Sequence, residues 1–573
     1  MHPCTIITLL AHITIHKANA FIPHKYTNTL ALTQTNLPKS SFDTTKYYST
    51  SQNIQDEEVD IAIIGSGIGG LTAGAILNTL YNKTVTVLES HYLPGGCAHA
   101  FQRYDKDTKT EYTFDSGPTI LLGCTSEQYP NPLQQVLNAI GQDVDWIQYY
   151  GWGMMELSPQ SPPNNKLEWR LELGADGTFE NGALSKYAIN STQALLEFNE
   201  LSQITRPLLA GLSIPALAMR SDNWNILPLL FKYTKSFFNI ISQGELVLGT
   251  FAPYMDGPIY KVTDPWLRDY LDALAFSLSG LSANRTAAAA MAFVLFDCHE
   301  RKDAVLDYPK GGLGSVIDAL VRGVEVGENG SSLRLKSHVD RIDFEGGVAT
   351  GVTLRNGKKV RVRDGVICNA PIWSLEGLLG NDTDIKNLMG YTSSSSSSSQ
   401  PNVSWETNKT DSTTFLKMDY QQNNNEKTFL ETLNQAEMTG SFLHLHIVLN
   451  ISNFDTSKLE PHYTVMSRSL SGEGDGPCGP LNMIALSNPC IIDPTLSPKE
   501  DCIILHAYGA ANEPYELWEG MDRFSEEYKA LKKERAKVLY EAVESIVPDY
   551  RERIVYEIIG SPLTHERYLR RPR

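Results

Sequence analysis

Val59-Asp60-Ile61-Ala62-Ile63-Ile64-Gly65-Ser66-Gly67-Ile68-Gly69-Gly70, answered by Glu89, is the stretch that decides the fold. The apolar run Ile61-Ala62-Ile63-Ile64 reads as a strand buried on both faces, as in a parallel sheet. Gly65 permits the tight turn, Gly67 lets the backbone approach a pyrophosphate, and Gly70 lets helix and strand pack closely. Ile68, Leu71, Ala75 and Ile76 then recur with helical period. The unpaired N–H groups at such a helix start face an anion. A second strand, Thr84-Val85-Thr86-Val87-Leu88, ends on Glu89, 19 residues past Gly70. An acid about 20 residues on is the group that grips a ribose hydroxyl.

Directly behind Glu89 stands His91-Tyr92-Leu93-Pro94-Gly95-Gly96-Cys97. Glu followed after five residues by Gly-Gly resembles the flavin amine oxidase and phytoene desaturase group, which binds FAD. The resemblance implies that Glu89 takes the adenosine ribose. It also implies that the Gly95-Gly96 backbone lies beside the flavin's phosphates and ring. Tyr112-Thr113-Phe114-Asp115-Ser116-Gly117 is similar to that group's next segment, which leads from the flavin towards the substrate cavity.

The chain has 573 residues, too many for one compact core. Its 42% hydrophobic and 20% charged residues describe a globular protein. A net charge of −17 argues against a nucleic-acid partner, since nothing basic gathers to neutralise phosphates. Cysteines stand at 4, 97, 124, 298, 368, 478, 490 and 502 without C-x-x-C or His/Cys metal spacing, so no metal is expected. Free thiols in a reducing compartment are the expectation.

Residues 1–20 read as a signal peptide: a short apolar stretch from Thr5 to Ala11, closed by Ala18-Asn19-Ala20. Residues 21–55 are rich in Ser and Thr, with Lys25, Lys39, Lys46 and a single acid, Asp43. That composition resembles a plastid transit peptide, and the pair resembles a bipartite plastid presequence. Plain secretion with a disordered linker is the competing reading.

The expected fold is α/β: a Rossmann-like, glutathione-reductase-like FAD-binding domain, discontinuous in sequence, interleaved with an α+β substrate or cap domain. FAD-binding segments are assigned to 56–124 and 301–390, and cap segments to 125–300 and 428–550. Residues 551–573 are expected to return to the FAD domain. In the first cap segment, Pro207–Leu217 and Ile226–Phe231 form proline-broken apolar runs flanked by Lys232 and Lys235. They suit either a surface that dips into membrane lipid, giving peripheral association, or the core of a helical cap. From 301 on, Tyr308-Pro309-Lys310-Gly311-Gly312-Leu313-Gly314 precedes a helix. Strand patterns follow, turned at Gly346-Gly347 and Asn356-Gly357. This block resembles the second FAD-contacting portion of the same group, where the residue matching Val339 holds the adenine through its backbone. Ser393 to Ser399 open a polar insertion over 391–427, expected to be disordered.

Phe442 to Leu449 alternates as a strand with His444 and His446 on one face, and Cys502 to Tyr508 carries His506. A charged helix is expected from Ser525 to Ala542. Ser441-Phe442-Leu443 with His446, Trp518-Glu519-Gly520, and Gly560-Ser561-Pro562-Leu563-Thr564-His565-Glu566-Arg567-Tyr568 resemble the carotenoid isomerase branch, with retinol saturases close behind. In that family a G-D-S-x-x-P-G-x-G-V segment follows, and its place beyond Arg573 makes a truncated sequence the expectation. The resemblance implies cis–trans isomerisation of a carotenoid or other long polyene by reduced FAD, in a plastid. Net redox at the polyene is the second reading, and a flavin-poor carotenoid-binding protein the third. Polyene chemistry asks little of side chains, and no catalytic residue stands out. His446, His506 and His565 are candidates to donate or orient a proton.

Overall fold

A computed structural model describes residues 57–569 except 118, 127–130, 158–166, 174–181, 214–248, 300–303, 381–401, 408–413, 420–438, 468–475 and 498. The presequence lies outside the described residues, as does most of the proline-broken apolar stretch. Among the described residues no helix is long and apolar enough to cross a membrane.

The first sheet has six strands. Ser332–Arg334, Val85–Leu88, Glu57–Ile64 and Lys359–Cys368 run parallel, and Val348–Leu354 and Val339–Glu345 add an antiparallel edge. Strand 85–88 is buried at every residue, as expected of a strand covered on both faces. Helices Ile68–Tyr81 and Gly314–Glu325 cover one face, where Leu71, Ala75, Val87, Leu320 and Val324 form a core. The Asn78 side-chain amide ties the helices together by donating to the Val324 and Val326 carbonyls at 2.9 and 2.8 Å. The other face is closed by Val59, Ile64, Val339, Ile342, Val352 and Val360. Residues Lys359–Cys368 form one strand across Asp364-Gly365. A register shift opposite Val59 and Ile61 absorbs the Asp364-Gly365 interruption.

The second sheet has seven strands in the order Ile554–Gly560, Ser441–Asn450, Cys502–Glu513, Met483–Ser487, His462–Met466, Gly151–Glu156, Leu167–Glu172. The order corrects one expectation: residues 554–560 do not return to the first sheet. They pair antiparallel with strand 441–450, His444 opposite Gly560. Val555, Tyr556 and Ile559 pack on that core, so the apolar pattern is used there. The charged helix is two, Glu526–Arg535 and Lys537–Ile546, meeting at buried Ala536. Within the polar insertion, Asn402–Thr407 and Thr414–Asp419 form an antiparallel pair, so the segment is not structureless throughout. Its Val403, Trp405, Phe415 and Leu416 are strand formers that the serine-rich composition outweighed in the reading.

A hairpin of Ala100–Asp105 and Thr110–Asp115 joins the two sheets. Its Tyr112 stacks on Tyr556 at 5.3 Å, and Phe101 and Phe114 lie 5.1 and 5.2 Å from the His446 ring.

Candidate functional site

At the first sheet's carboxyl edge, Gly65 turns the chain with φ +94° and Gly67 precedes the helix without a side-chain cap. No acidic residue occupies the first turn, so the helix N-terminus keeps its positive end for an anion. A Cβ on Gly70 would stand 2.1 Å from the Gly65 carbonyl oxygen, which only glycine avoids. A Cβ on Gly96 would lie 3.0 Å from the Gly67 Cα, and Gly67 bridges Gly95. The two glycine segments are therefore in backbone contact, and side chains at these positions would fill the groove.

Glu89 is buried, with its carboxylate fixed by the loop. Oε2 accepts from the Ser66 N–H and Oγ at 2.9 and 2.8 Å, and Oε1 from the His91 N–H at 2.8 Å. The Ser337 N–H donates to the Glu89 carbonyl at 2.7 Å, which brings Val339 next to the acid's strand. Buried Val339 and Leu88 share one core cluster. Gly65, Gly67, Gly70, Glu89, Gly95, Gly96 and Val339 thus converge around one edge. The uncapped helix, the side-chain-free groove and the pinned acid suit the ADP half of FAD.

From this edge a cavity of about 580 Å³ opens towards the second sheet. That lies within the roughly 300–1,000 Å³ of small-molecule sites. Its walls include Tyr92 and Cys97 from the first sheet's loops, and Phe442, Ile558 and Pro562 from the second. Ser116 and Gly117 border it too, so the segment from Tyr112 leads into it.

Asp115 explains why that segment and the Tyr308 motif occur together. Its partly buried carboxyl group accepts from Thr119 Oγ1 at 2.7 Å, the Tyr308 hydroxyl at 3.1 Å and the Leu313 N–H at 3.0 Å. Burial pushes the Asp115 carboxyl up, against these bonds, and pushes the Tyr308 hydroxyl well above its usual value.

Part of the second sheet's wall is a histidine ladder, of which His444, His446 and His565 border the cavity. His446 and His506 are direct cross-strand partners, with rings 4.0 Å apart and 12° from parallel. His444 and His506 lie within 11° of parallel and share a hydrogen bond between Nδ1 and Nε2 of 2.7 Å. His565, on helix Pro562–Leu569, stands 4.5 Å from His444 between ring centres. Burial pushes His444, His446 and His506 well below the usual imidazole range and His565 down to about 4. All four rings are neutral at pH 7. Nitrogens of His444, His446 and His506 fall within 4.8 Å of one another, a proximity a metal could use. An ion lies in the plane of each imidazole it binds, at about 2.0–2.1 Å for zinc. Planes stacked 4.0 Å apart share no such point, so these rings do not fit a metal as arranged. Sequence placed His444 and His446 on one face but gave His444 no role, since the partner that defines it lies 62 residues on.

Comparison with known proteins agrees with this geometry. The NAD(P)-binding Rossmann-like domain matches residues 63–140, and flavin containing amine oxidoreductase matches 253–396. The chain is thus similar to the flavin amine oxidase and phytoene desaturase group, and its cofactor is FAD. It is 26% identical over 515 residues to the chloroplastic prolycopene isomerase of Arabidopsis thaliana, covering 89% of this chain and 73% of that one. It is 24% identical over 541 residues to the all-trans-retinol 13,14-reductase of Danio rerio, covering 90% and 77%. A phytoene desaturase of Cereibacter sphaeroides is 25% identical over 308 residues, covering 52% and 50%. These matches support a flavin-dependent oxidoreductase.

Proposed function

We propose that this protein is a carotenoid isomerase, converting cis to trans double bonds of a long polyene with no net redox change. The observation that carries the reading is the cavity itself. It is bordered by Tyr92 and Cys97, which flank Gly95 and Gly96, and by the buried histidines His444 and His446. Apart from Arg103 and Glu566 the lining carries no charge, and such a wall suits an apolar chain. The likeness to prolycopene isomerases over most of the chain supports the same choice. Bound FAD supplies electron or hydride exchange with a C=C bond. The protein's own part is to hold the polyene against the Gly95–Cys97 loop and exclude water. Gly65, Gly67, Gly70, Glu89, Gly95, Gly96 and Val339 are proposed to hold the cofactor. Residence in a plastid, at a lipid surface that delivers the polyene, belongs to the same proposal.

The test is incubation of the FAD-loaded, reduced protein with a panel of cis-carotenoids and retinol, read by mass and retention time. Isomerisation gives a new retention time at unchanged mass. A product heavier or lighter by two hydrogens would replace the reading with a reductase or desaturase.

A further inference from the structure

The strand register places two imidazoles edge to edge. Linear N–H···N contact between coplanar rings gives the observed combination of a 2.7 Å nitrogen separation, a 5.0 Å centroid separation and an 11° interplanar angle. The outer nitrogens, His444 Nε2 and His506 Nδ1, are buried with no hydrogen-bond partner among the described residues. His444 borders the main cavity. His506 borders a second, small cavity of about 20 Å³, whose lining also includes Asp115, Tyr308 and Ser487. That volume holds about one water, and the site offers the two to four polar partners a buried water needs.

We infer that His444 and His506 form a two-imidazole proton relay between the Asp115 cavity and the polyene cavity. The inference rests on the reading of the main cavity as a polyene site. In one setting His444 carries its proton on Nε2 and accepts from His506 Nε2–H. A proton leaves His444 Nε2 for a polyene carbon, the shared proton moves from His506 to His444 Nδ1, and His506 Nδ1 takes one from the water beside Asp115. Asp115 makes good that water's proton and is left as carboxylate. Both rings stay neutral with exchanged tautomers, and the polyene becomes a cation whose former double bond rotates. Reversal returns one proton along the same line and restores the polyene, so atoms and electrons balance without an oxidant or reductant. Parallel stacking on His446 keeps the His506 ring in the plane this transfer needs.

A purely structural pair would serve as well with a fixed amide as with a tautomer. His506→Gln tests this, since the glutamine amide nitrogen reaches the Nε2 position and can donate to His444 but cannot pass a proton on. The FAD-loaded, reduced protein is incubated with prolycopene in deuterated water, and flavin content and Tm are measured for each variant. The wild type is expected to isomerise the polyene and leave up to one deuterium per turnover in the product. His506→Gln and His444→Phe are expected to keep their flavin, lose deuterium uptake, and slow isomerisation about 100-fold, the scale of a lost general acid–base group. Isomerisation without deuterium uptake, or undiminished in both variants, would overturn the relay and leave the isomerase reading standing. Reduction of the polyene with one solvent deuterium, lost in His506→Gln, would sustain the relay and overturn that reading. No conversion of any polyene by the flavin-loaded wild type would overturn both.

Discussion

The glycine edge and the histidine ladder both serve one cavity, yet they are encoded in opposite ways. At the glycine edge the work is done by backbone, so the information is local: spacing within residues 65–70 and 95–96 fixes where side chains are forbidden. At the ladder the work is done by side chains from strands 441–450 and 502–513 and from helix 562–569. Only register brings His506 between His444 and His446. A one-residue slip would turn His506 to the opposite face and dismantle the ladder while leaving every local pattern intact. Local spacing therefore announces a cofactor cradle, whereas an assembled polar wall becomes visible only when the sheet is built.

Substitution at the glycine edge should have the largest effect. Gly70→Val places a Cβ 2.1 Å from the Gly65 carbonyl, which neither helix nor strand can relieve without separating. The expected cost exceeds about 4 kcal/mol, the range reserved for special backbone and packing failures. Thermal melts and flavin content at purification should both collapse. Gly67→Val is the sharper partner, because the added Cβ meets the Asn369 side-chain amide at 3.2 Å and that group can shift. It should stay folded and lose flavin. A Gly67→Val protein that purifies with full flavin would refute the assignment of this groove to the pyrophosphate.

How far the molecule was readable follows the same division. The first sheet's parallel strands, the helix after Gly67 and the approach of Glu89 were legible because each repeats a local rule. The return of residues 554–560 to the second sheet was not, since nothing in Ile-Val-Tyr-Glu-Ile-Ile-Gly says which edge it will pair with. The pairing of 402–407 with 414–419 was hidden by composition, which averages over the strand-forming residues inside a polar tract. Asp115 was quoted only as part of a family segment. Its clamp on Tyr308 and Leu313 joins residues almost 200 apart.

Acid should strike the ladder side next. His462 is pushed down to about 3 by burial and His565 to about 4, against about 6.5 in an unfolded chain. The unfolded state then binds more protons than the native one below pH 6.5, so stability is complete above that value and falls as pH drops. Each such histidine costs roughly 1.4 kcal/mol per pH unit. For His565 the loss reaches about 3 kcal/mol by pH 4. Urea midpoints measured from pH 7.5 to 4.5 should show this slope, and His462→Phe should flatten it by one histidine's share. An unchanged slope in His462→Phe would mean that water reaches this ring in the folded state.

The smallest effect is expected of Asp115→Asn, where two contributions oppose each other. Asp115→Asn keeps one carbonyl acceptor for the Leu313 N–H, and its amide can donate to the Thr119 and Tyr308 hydroxyls once they rotate. It also removes a partly buried carboxyl whose raised pKa opposes folding increasingly as pH rises above about 3.8. The net change in stability at pH 7 should stay within about 1 kcal/mol. Asp115→Ala strands three donors and should cost about 1–3 kcal/mol for each that finds no water. Comparing the two by chemical denaturation separates the clamp from the charge. If Asp115→Asn proves as damaging as Asp115→Ala, the carboxylate charge itself holds the Tyr308 segment in place. Asp115 could then not surrender a proton to the relay, because at pH 7 it would have none.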